Sequence, residues 1–411
     1  MKVGLIMLIS FFSSTSFSQT TIGFDFTILK GTEVTILNHL NILYTGTLVN
    51  DGELNLKSNI TNNGTVSHSD TETSGKISFV GEDQEISGAN RLILYDVLFE
   101  NNSIELKGSI QINNEADFTR GIVNNREHGG SIVFNEFSSH LSKANDSNRS
   151  SYLDSYIDGE VHKLGNANFI YPTGNANFDR PIAIKELFSS NNLFSGTYFF
   201  ENSNKKYLHA LKDGIIEFID SKEYWKISKI EGDDDSAVIE LSRDIETSSP
   251  EILAADLSNL VIVTWNADKN FWENLGGIVN IENDAINAVV EFTGSGVFAL
   301  AIKTKGIEGA EDVVVYNYLT PDDNGINDVL IIYNIKKYSD NEVKIYNRWG
   351  TEVWKTKGYD NLENAFSGRS NTGLSFNSSD DLPAGTYYYV LNYKVNGKKQ
   401  QIIDYLYING K

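Results

Sequence analysis

Cysteine is absent from the 411-residue chain. That removes disulfide frameworks, thiolate nucleophiles and cysteine-ligated zinc, so stability outside the cell has to come from packing, strand pairing or ions. Proline is scarce, with 5 residues, which leaves no room for a proline-rich stalk. Positive charge is in deficit: 34 Lys and Arg stand against 55 Asp and Glu, a formal charge of −21, and no basic run offsets it. Phosphate backbones need the opposite sign, so nucleic acid is a poor partner, and an anionic membrane surface repels such a chain. The apolar run Val3 to Phe12 in MKVGLIMLISFFSSTSFSQ is shorter than the ~20 residues of a transmembrane helix. With Lys2 before it and Ser16-Phe17-Ser18 after it, the run fits a secretory signal peptide over residues 1–18, cut between Ser18 and Gln19. No later segment supplies a span. The mature chain is therefore expected outside the cytoplasm, secreted or on the outer cell surface, with no transmembrane segment.

What is present is strand and turn. Short apolar runs bounded by Asn, Gly, Asp and Ser recur along the whole chain, and helical periodicity is rare, so the fold class is all-β. In residues 19–184, LVNDGEL (Leu48 to Leu54) is echoed by ITNNGTV (Ile60 to Val66), and FENNSIEL and GIVNNREHGG vary the theme. Short strands ending in Asn/Gly corners can stack into a parallel β-solenoid with Leu48, Leu54, Ile60 and Val66 inward. Antiparallel hairpins with Asn-Gly turns are the competing reading. The segment His162 to Ile184 changes texture and reads as the exit from this unit. Residues 185–302 alternate strands with polar loops and read as a β-sandwich, with Trp225 and Trp265 as packing residues and Trp272 open between core and sugar platform. Lys303 to Asp312, KTKGIEGAED, reads as a linker.

Residues 313–411 read as a small antiparallel β-sandwich. Alternation puts Val343 and Ile345 on one face, and Tyr387, Tyr389, Leu391 and Tyr393 on one face of a later strand. Five motifs occur in order: Thr320-Pro321 with Asn324, Gly325, Asn327 and Asp328; Asn347-Arg348-Trp349-Gly350; Phe366-Ser367-Gly368; Pro383 to Tyr389, with Gly385, Thr386 and Tyr387; and Tyr405 to Ile408, with Tyr407, before Lys411. In these motifs the segment resembles the gliding motility-associated C-terminal domain of Bacteroidota, the type B sorting domain of the type IX secretion system. It departs from the family pattern at Asp322-Asp323 and at Ser367. The resemblance implies Sec export followed by passage through the outer membrane, with the type IX machinery as partner. For the opening stretch PDDNGINDVL, an EF-hand alignment fails because Thr320 and Ile331 fall where the loop needs acids. A tight Asn324-Gly325 turn with solvated or capping acids is the structural reading. A calcium turn from Asp322, Asp323, Asn327 and Asp328 is the alternative, and no other cofactor is implied.

The six histidines, at 39, 68, 128, 140, 162 and 209, form no short-spaced pair suited to metal, and no GxSxG, GxxxxGK or GxGxxG element occurs. Asp233-Asp234-Asp235 reads as a solvated loop. No catalytic residue is assigned, and the chain is expected not to be an enzyme. The resulting expectation is a secreted surface protein acting as an adhesin toward extracellular polysaccharide or other cell-surface components, or as structural material. A polysaccharide-degrading enzyme is the alternative, because two carboxylates suffice for glycoside hydrolysis.

Overall fold

A computed structural model describes residues 18–69, 74–142, 155–213, 216–281, 283–303, 313–321, 327–372, 381–395 and 398–409. Residues 1–17 of the signal peptide, 304–312 of the linker, Asp322 to Gly325 and Lys411 lie outside them. Contacts divide the chain into two units: one runs through Ile132 and includes Ser138–Ser142, and the other includes Val133–Phe137 and everything from Tyr156 onward.

The first unit is a parallel β-solenoid. Its strands are β1 (Gln19–Ile22), β2 (Asp25–Ile28), β3 (Glu33–Ile36), β4 (His39–Ile42), β5 (Thr47–Asn50), β6 (Glu53–Leu56), β7 (Ile60–Asn62), β8 (Thr65–Ser67), β9 (Lys76–Phe79), β10 (Asp83–Ser87), β11 (Leu92–Leu106) and β12 (Ser109–Asn124). Three strands make one coil, and each pairs in parallel with its equivalent in the next: β1–β4–β7–β10, β2–β5–β8 and β3–β6–β9. The long β11 travels a whole coil, pairing in turn with β8, β9 and β10. Parallel pairing rules out the hairpin reading, since hairpins pair antiparallel.

Because the side-chain period of a strand is two, in-register parallel pairing stacks like positions into columns. Leu40, Ile60, Ile86 and Leu106 form one buried column, and Leu48, Val66, Leu92 and Ile110 another. A third, Leu56–Phe79–Phe99–Phe118, carries an aromatic ladder with ring centroids 5.7 Å and 5.0 Å apart. The coil therefore advances by 18 to 26 residues, from Leu48 to Val66 at the short end and from Ile60 to Ile86 at the long end. The twelve-residue echo of LVNDGEL in ITNNGTV marks corners in successive coils. At the second corner a Cβ on Gly64 would lie 2.2 Å from the Leu43 carbonyl oxygen, so only glycine lets the coils close up. Buried Asn62 ties that corner, accepting from Gly64 N at 3.2 Å and donating to the carbonyls of Asn90 and Arg91 at 3.1 Å each.

The second unit opens with a two-sheet sandwich. One sheet joins strands Val161–Leu164, Leu193–Phe199, Tyr224–Glu231, Ser295–Lys303, Leu260–Asn266 and Phe271–Asn274, all antiparallel. The other joins Phe169–Tyr171, Ile182–Lys185, Asp235–Ser242, Ala285–Phe292 and Ile278–Asn280. The segment His162–Ile184 thus supplies strands to both sheets. Phe194 meets Phe292 at 5.0 Å between the sheets.

Buried Arg180 and Glu223 form a bidentate pair at 2.9 and 3.0 Å; Tyr198 and Ser248 hydroxyls also donate to Glu223, and Trp225 lies under the guanidinium at 5.2 Å. Every charge in this network has a partner, which is the condition for carrying it inside. Trp225 and Trp272 are fully buried, each donating its indole N–H to a backbone carbonyl, of Arg180 and Tyr207 respectively. Trp272 is therefore core. Trp265 is half-buried and stacks edge-on against Trp272 at 5.7 Å.

The last part, residues 313–409, has its own core, built from Leu319, Leu330, Val343, Ile345, Trp354, Phe366, Tyr389, Leu391, Leu406 and Ile408 among others. Its main sheet runs Tyr318–Leu319, Lys398–Ile408, Gly385–Val395, Asn341–Asn347, Glu352–Lys357. Val343, Ile345, Tyr387, Tyr389 and Leu391 point into that core as alternation predicts, and Tyr393 packs at its margin. The sheet is antiparallel except for Tyr318–Leu319, which lies parallel to the terminal strand.

Two expected outcomes follow from this packing. Phe99→Ala removes the middle of the aromatic ladder and should cost about 3–5 kcal/mol in denaturant unfolding of the first unit; a loss under about 1 kcal/mol would show that the column is not what holds the coils. Burial, with Glu223 nearby, pushes Asp220 from its ordinary 3.8 up to about 6. A carboxyl raised on folding contributes fully below its unfolded value, and that contribution is lost as pH rises through the folded one. Asp220→Asn should therefore remove on the order of 2–3 kcal/mol of the fall in stability between about pH 4 and pH 7, read from urea midpoints across that range.

Candidate functional site

The five motif segments of residues 313–411 are far apart in sequence, and strand register brings their described parts to one end of the sheet. Asn347, closing its strand, pairs with Tyr387 near the start of the next; Gly385 pairs with Ile408 at the end of the terminal strand; Ile408 pairs with Leu319, two residues before Pro321. Gly368, with φ of +76°, packs against Pro321 so closely that a Cβ would lie 2.9 Å from the proline ring. Its carbonyl accepts from Leu382 N at 2.8 Å, and Tyr387 OH donates back to the Pro383 carbonyl at 2.9 Å. Phe366 is locked from both sides: its N–H donates to Tyr359 OH at 3.0 Å and its carbonyl accepts from Leu330 N at 2.8 Å.

The Asn347-Arg348-Trp349-Gly350 segment is a tight turn organised by one side chain. Asn347 Oδ1 accepts from the backbone N–H groups of Trp349 and Thr351 at 3.0 and 2.9 Å, and Gly350 takes the left-handed φ of +78° that closes it. The result is an exposed tip on a rigid base: Trp349 is 74% exposed, with the Arg348 guanidinium over its ring at 4.5 Å.

Of the opening stretch, Asn327 takes a left-handed φ of 56° and its carbonyl accepts from Thr320 N at 2.9 Å, which is turn chemistry. Asp328 is described nearby, while Asp322, Asp323, Asn324 and Gly325, and with them half of the calcium set, lie outside the described residues. Among the described residues no group of three or more His, Asp and Glu is placed to hold a metal ion. Asp233 and Asp234 lie in an exposed loop, as read from the sequence, but Asp235 begins a strand and leaves solvent. Asp235 is buried, and its Oδ2 accepts from the N–H groups of Phe188 and Ser189 and from Asn192 Nδ2; Asp233 accepts from Ser189 Oγ, and Asp234 pairs with Lys229.

Pattern reading missed a set of residues facing away from the core of the last part. Leu406 and Ile408 point inward, so Tyr405 and Tyr407 point outward, and this face lies on the sandwich. Tyr407 packs with Val238 and Val289, stacks on Tyr318 at 5.8 Å, and meets Phe188 at 5.8 Å. Tyr405 OH donates to the Val289 carbonyl at 2.8 Å; Tyr318 OH and Asn409 Nδ2 both donate to Glu186 Oε1. The signal was in YLYI: large apolar side chains on both faces of one strand, tyrosines on one and aliphatics on the other, mean two interfaces.

Beside this contact an open cleft of about 350 Å³ is lined by Trp265, Asp268, Glu273, Glu291, Phe298 and Tyr405. Burial pushes the Glu273 carboxyl up, but hydrogen bonds from Lys269 and Asn266 hold it below its ordinary value. An ionised carboxylate beside a tryptophan suits accepting hydrogen bonds from hydroxyls rather than delivering a proton.

Asn347→Ala should lose about 1–2 kcal/mol by freeing two N–H groups of the turn, whereas Trp349→Ala should stay within about 0.5 kcal/mol of the parent because the ring is exposed; equal losses in thermal unfolding would contradict this division of labour. No helix among the described residues is long and apolar enough to cross a membrane. No curated protein matches the chain. Residues 313–408 match the family described as CHU_C Type IX secretion signal domain, and the sheet end where the motifs meet is thus part of the type IX sorting signal of a secreted, cell-surface protein.

Proposed function

We propose that the protein is an adhesin of the cell surface whose front region contacts extracellular polysaccharide or another cell-surface component. The observation that carries the reading is the polar dressing of the solenoid. His39 Nε2, Thr61 Oγ1 and Ser87 Oγ form a hydrogen-bonded ladder over three coils, with steps of 3.0 Å each. On another flank Arg91 bonds Gln111, Gln111 bonds Asn113, and Asn113 bonds His68. Repeated hydroxyl, amide and imidazole groups at strand spacing offer many weak contacts to a repeating polyol, and multivalency turns these into retention. The cleft beside Trp265 adds an aromatic face and the side chains of Asp268, Glu273 and Glu291. Three carboxylates in one cleft also sustain the second reading, a polysaccharide-degrading enzyme.

Incubating the secreted protein with a panel of polysaccharides and cell-surface preparations, and measuring retained protein and released sugar in the same tubes, separates the two. Retention without release is expected; released reducing ends, abolished by Glu291→Gln, would replace the adhesin reading with the enzyme. Export has its own test. Removing residues 313–411 should leave the chain inside the outer membrane, and its undiminished arrival at the surface would take the sorting role away from this segment.

A further inference from the structure

We propose that the middle sandwich is a built acceptor for the sorting domain, so that the two stay bound without covalent connection once the chain between Lys303 and Val313 is cut. Four features support a dedicated surface. The contact is apolar at its centre, with Tyr407 99% buried between Val238, Val289, Phe188 and the face of Tyr318 (1% exposure remains). It is polar at its margins, where Tyr405 OH reaches the Val289 carbonyl at 2.8 Å and Ser236 Oγ meets Thr386 Oγ1 at 3.2 Å. This arrangement of an aromatic anchor inside a polar rim is that of specific protein interfaces.

The third feature is Glu186. It is a non-glycine residue at φ +66°, a conformation that costs energy and persists where the surroundings fix it. Its Oε1 takes two hydrogen bonds, both from the sorting domain, while Oε2 is enclosed with no hydrogen-bond partner in the protein. A carboxylate in that state is tolerable only with Tyr318 and Asn409 in place. The fourth is Asp235, whose carboxylate gathers the N–H groups of Phe188 and Ser189 at 3.0 and 2.9 Å and so holds the Phe188 loop toward Tyr407.

The contacts of Tyr407, Tyr405, Tyr318, Thr386 and Asn409 with the sandwich connect residues before Lys303 with residues after Val313, so none of them depends on the connecting segment. Separation would expose a patch of tyrosine, valine and phenylalanine on both pieces and would leave polar groups of the rim unpaired.

The test uses the full chain with a specific protease site inserted after Gly309. After complete cleavage, gel filtration at about micromolar protein should give one peak containing both pieces. Two peaks would overturn the proposal. Glu186→Ala and Tyr405→Phe in the cut protein should each raise the dissociation constant about tenfold, and Val289→Asp should separate the pieces, with circular dichroism confirming that each variant is folded. Should Val289→Asp unfold the sandwich, the two milder variants decide. Co-elution that ignores Glu186→Ala and Tyr405→Phe would place the association elsewhere and overturn the proposal as well.

Discussion

Register between neighbouring strands is the constraint on which the rest of this protein depends. Without disulfides, nothing else fixes which residue faces which. In the solenoid an in-register parallel ladder puts Leu40 over Ile60 and Ile60 over Ile86, and a slip of one residue would turn each column outward. In the sorting domain the same constraint brings Asn347 to Tyr387 and Gly385 to Ile408. A motif that looks scattered along a hundred residues is, by register, one end of one sheet.

Much of this was legible in the sequence, for reasons that differ by element. The solenoid announced itself because its corners need asparagine and glycine, and its core columns need aliphatics at fixed offsets. The coil length was not legible from the echo of LVNDGEL in ITNNGTV, because two similar corners of successive coils look like one repeat. Val343, Ile345 and the tyrosines of Tyr387–Tyr389 followed from period-two alternation. Trp272 could not be placed, because its cover comes from Tyr207 and His209, more than sixty residues earlier, and the polar residues beside it in sequence do not report that contact. Asp235 was misjudged for a related reason: a run of three acids reads as solvent-facing, while its partners, the N–H groups of Phe188 and Ser189, are forty-six residues or more away.

The sorting domain uses its terminal strand twice. Even-numbered Leu406 and Ile408 close its own core, and odd-numbered Tyr405 and Tyr407 lie on the sandwich. The exposed Arg348–Trp349 tip belongs to the same sheet and touches neither core. One small domain thus keeps a structural face and a presented tip apart by strand alternation and one tight turn, with no extra element for either task.

The ladder of His39, Thr61 and Ser87 has a further consequence. Each hydroxyl in it both gives and takes one proton, so the direction of donation is common to the whole row. When His39 Nε2 carries hydrogen it donates to Thr61, Thr61 to Ser87, and Ser87 is left to the Ile60 carbonyl, 3.5 Å away. When that nitrogen is bare, Ser87 donates to Thr61 and Thr61 to the ring, and the Ile60 carbonyl loses the Ser87 hydroxyl as donor. A single tautomer at one coil therefore decides the polarity of hydroxyls two coils away, and a bound molecule that prefers one orientation at Ser87 selects the ring form at His39 without any atom heavier than hydrogen moving.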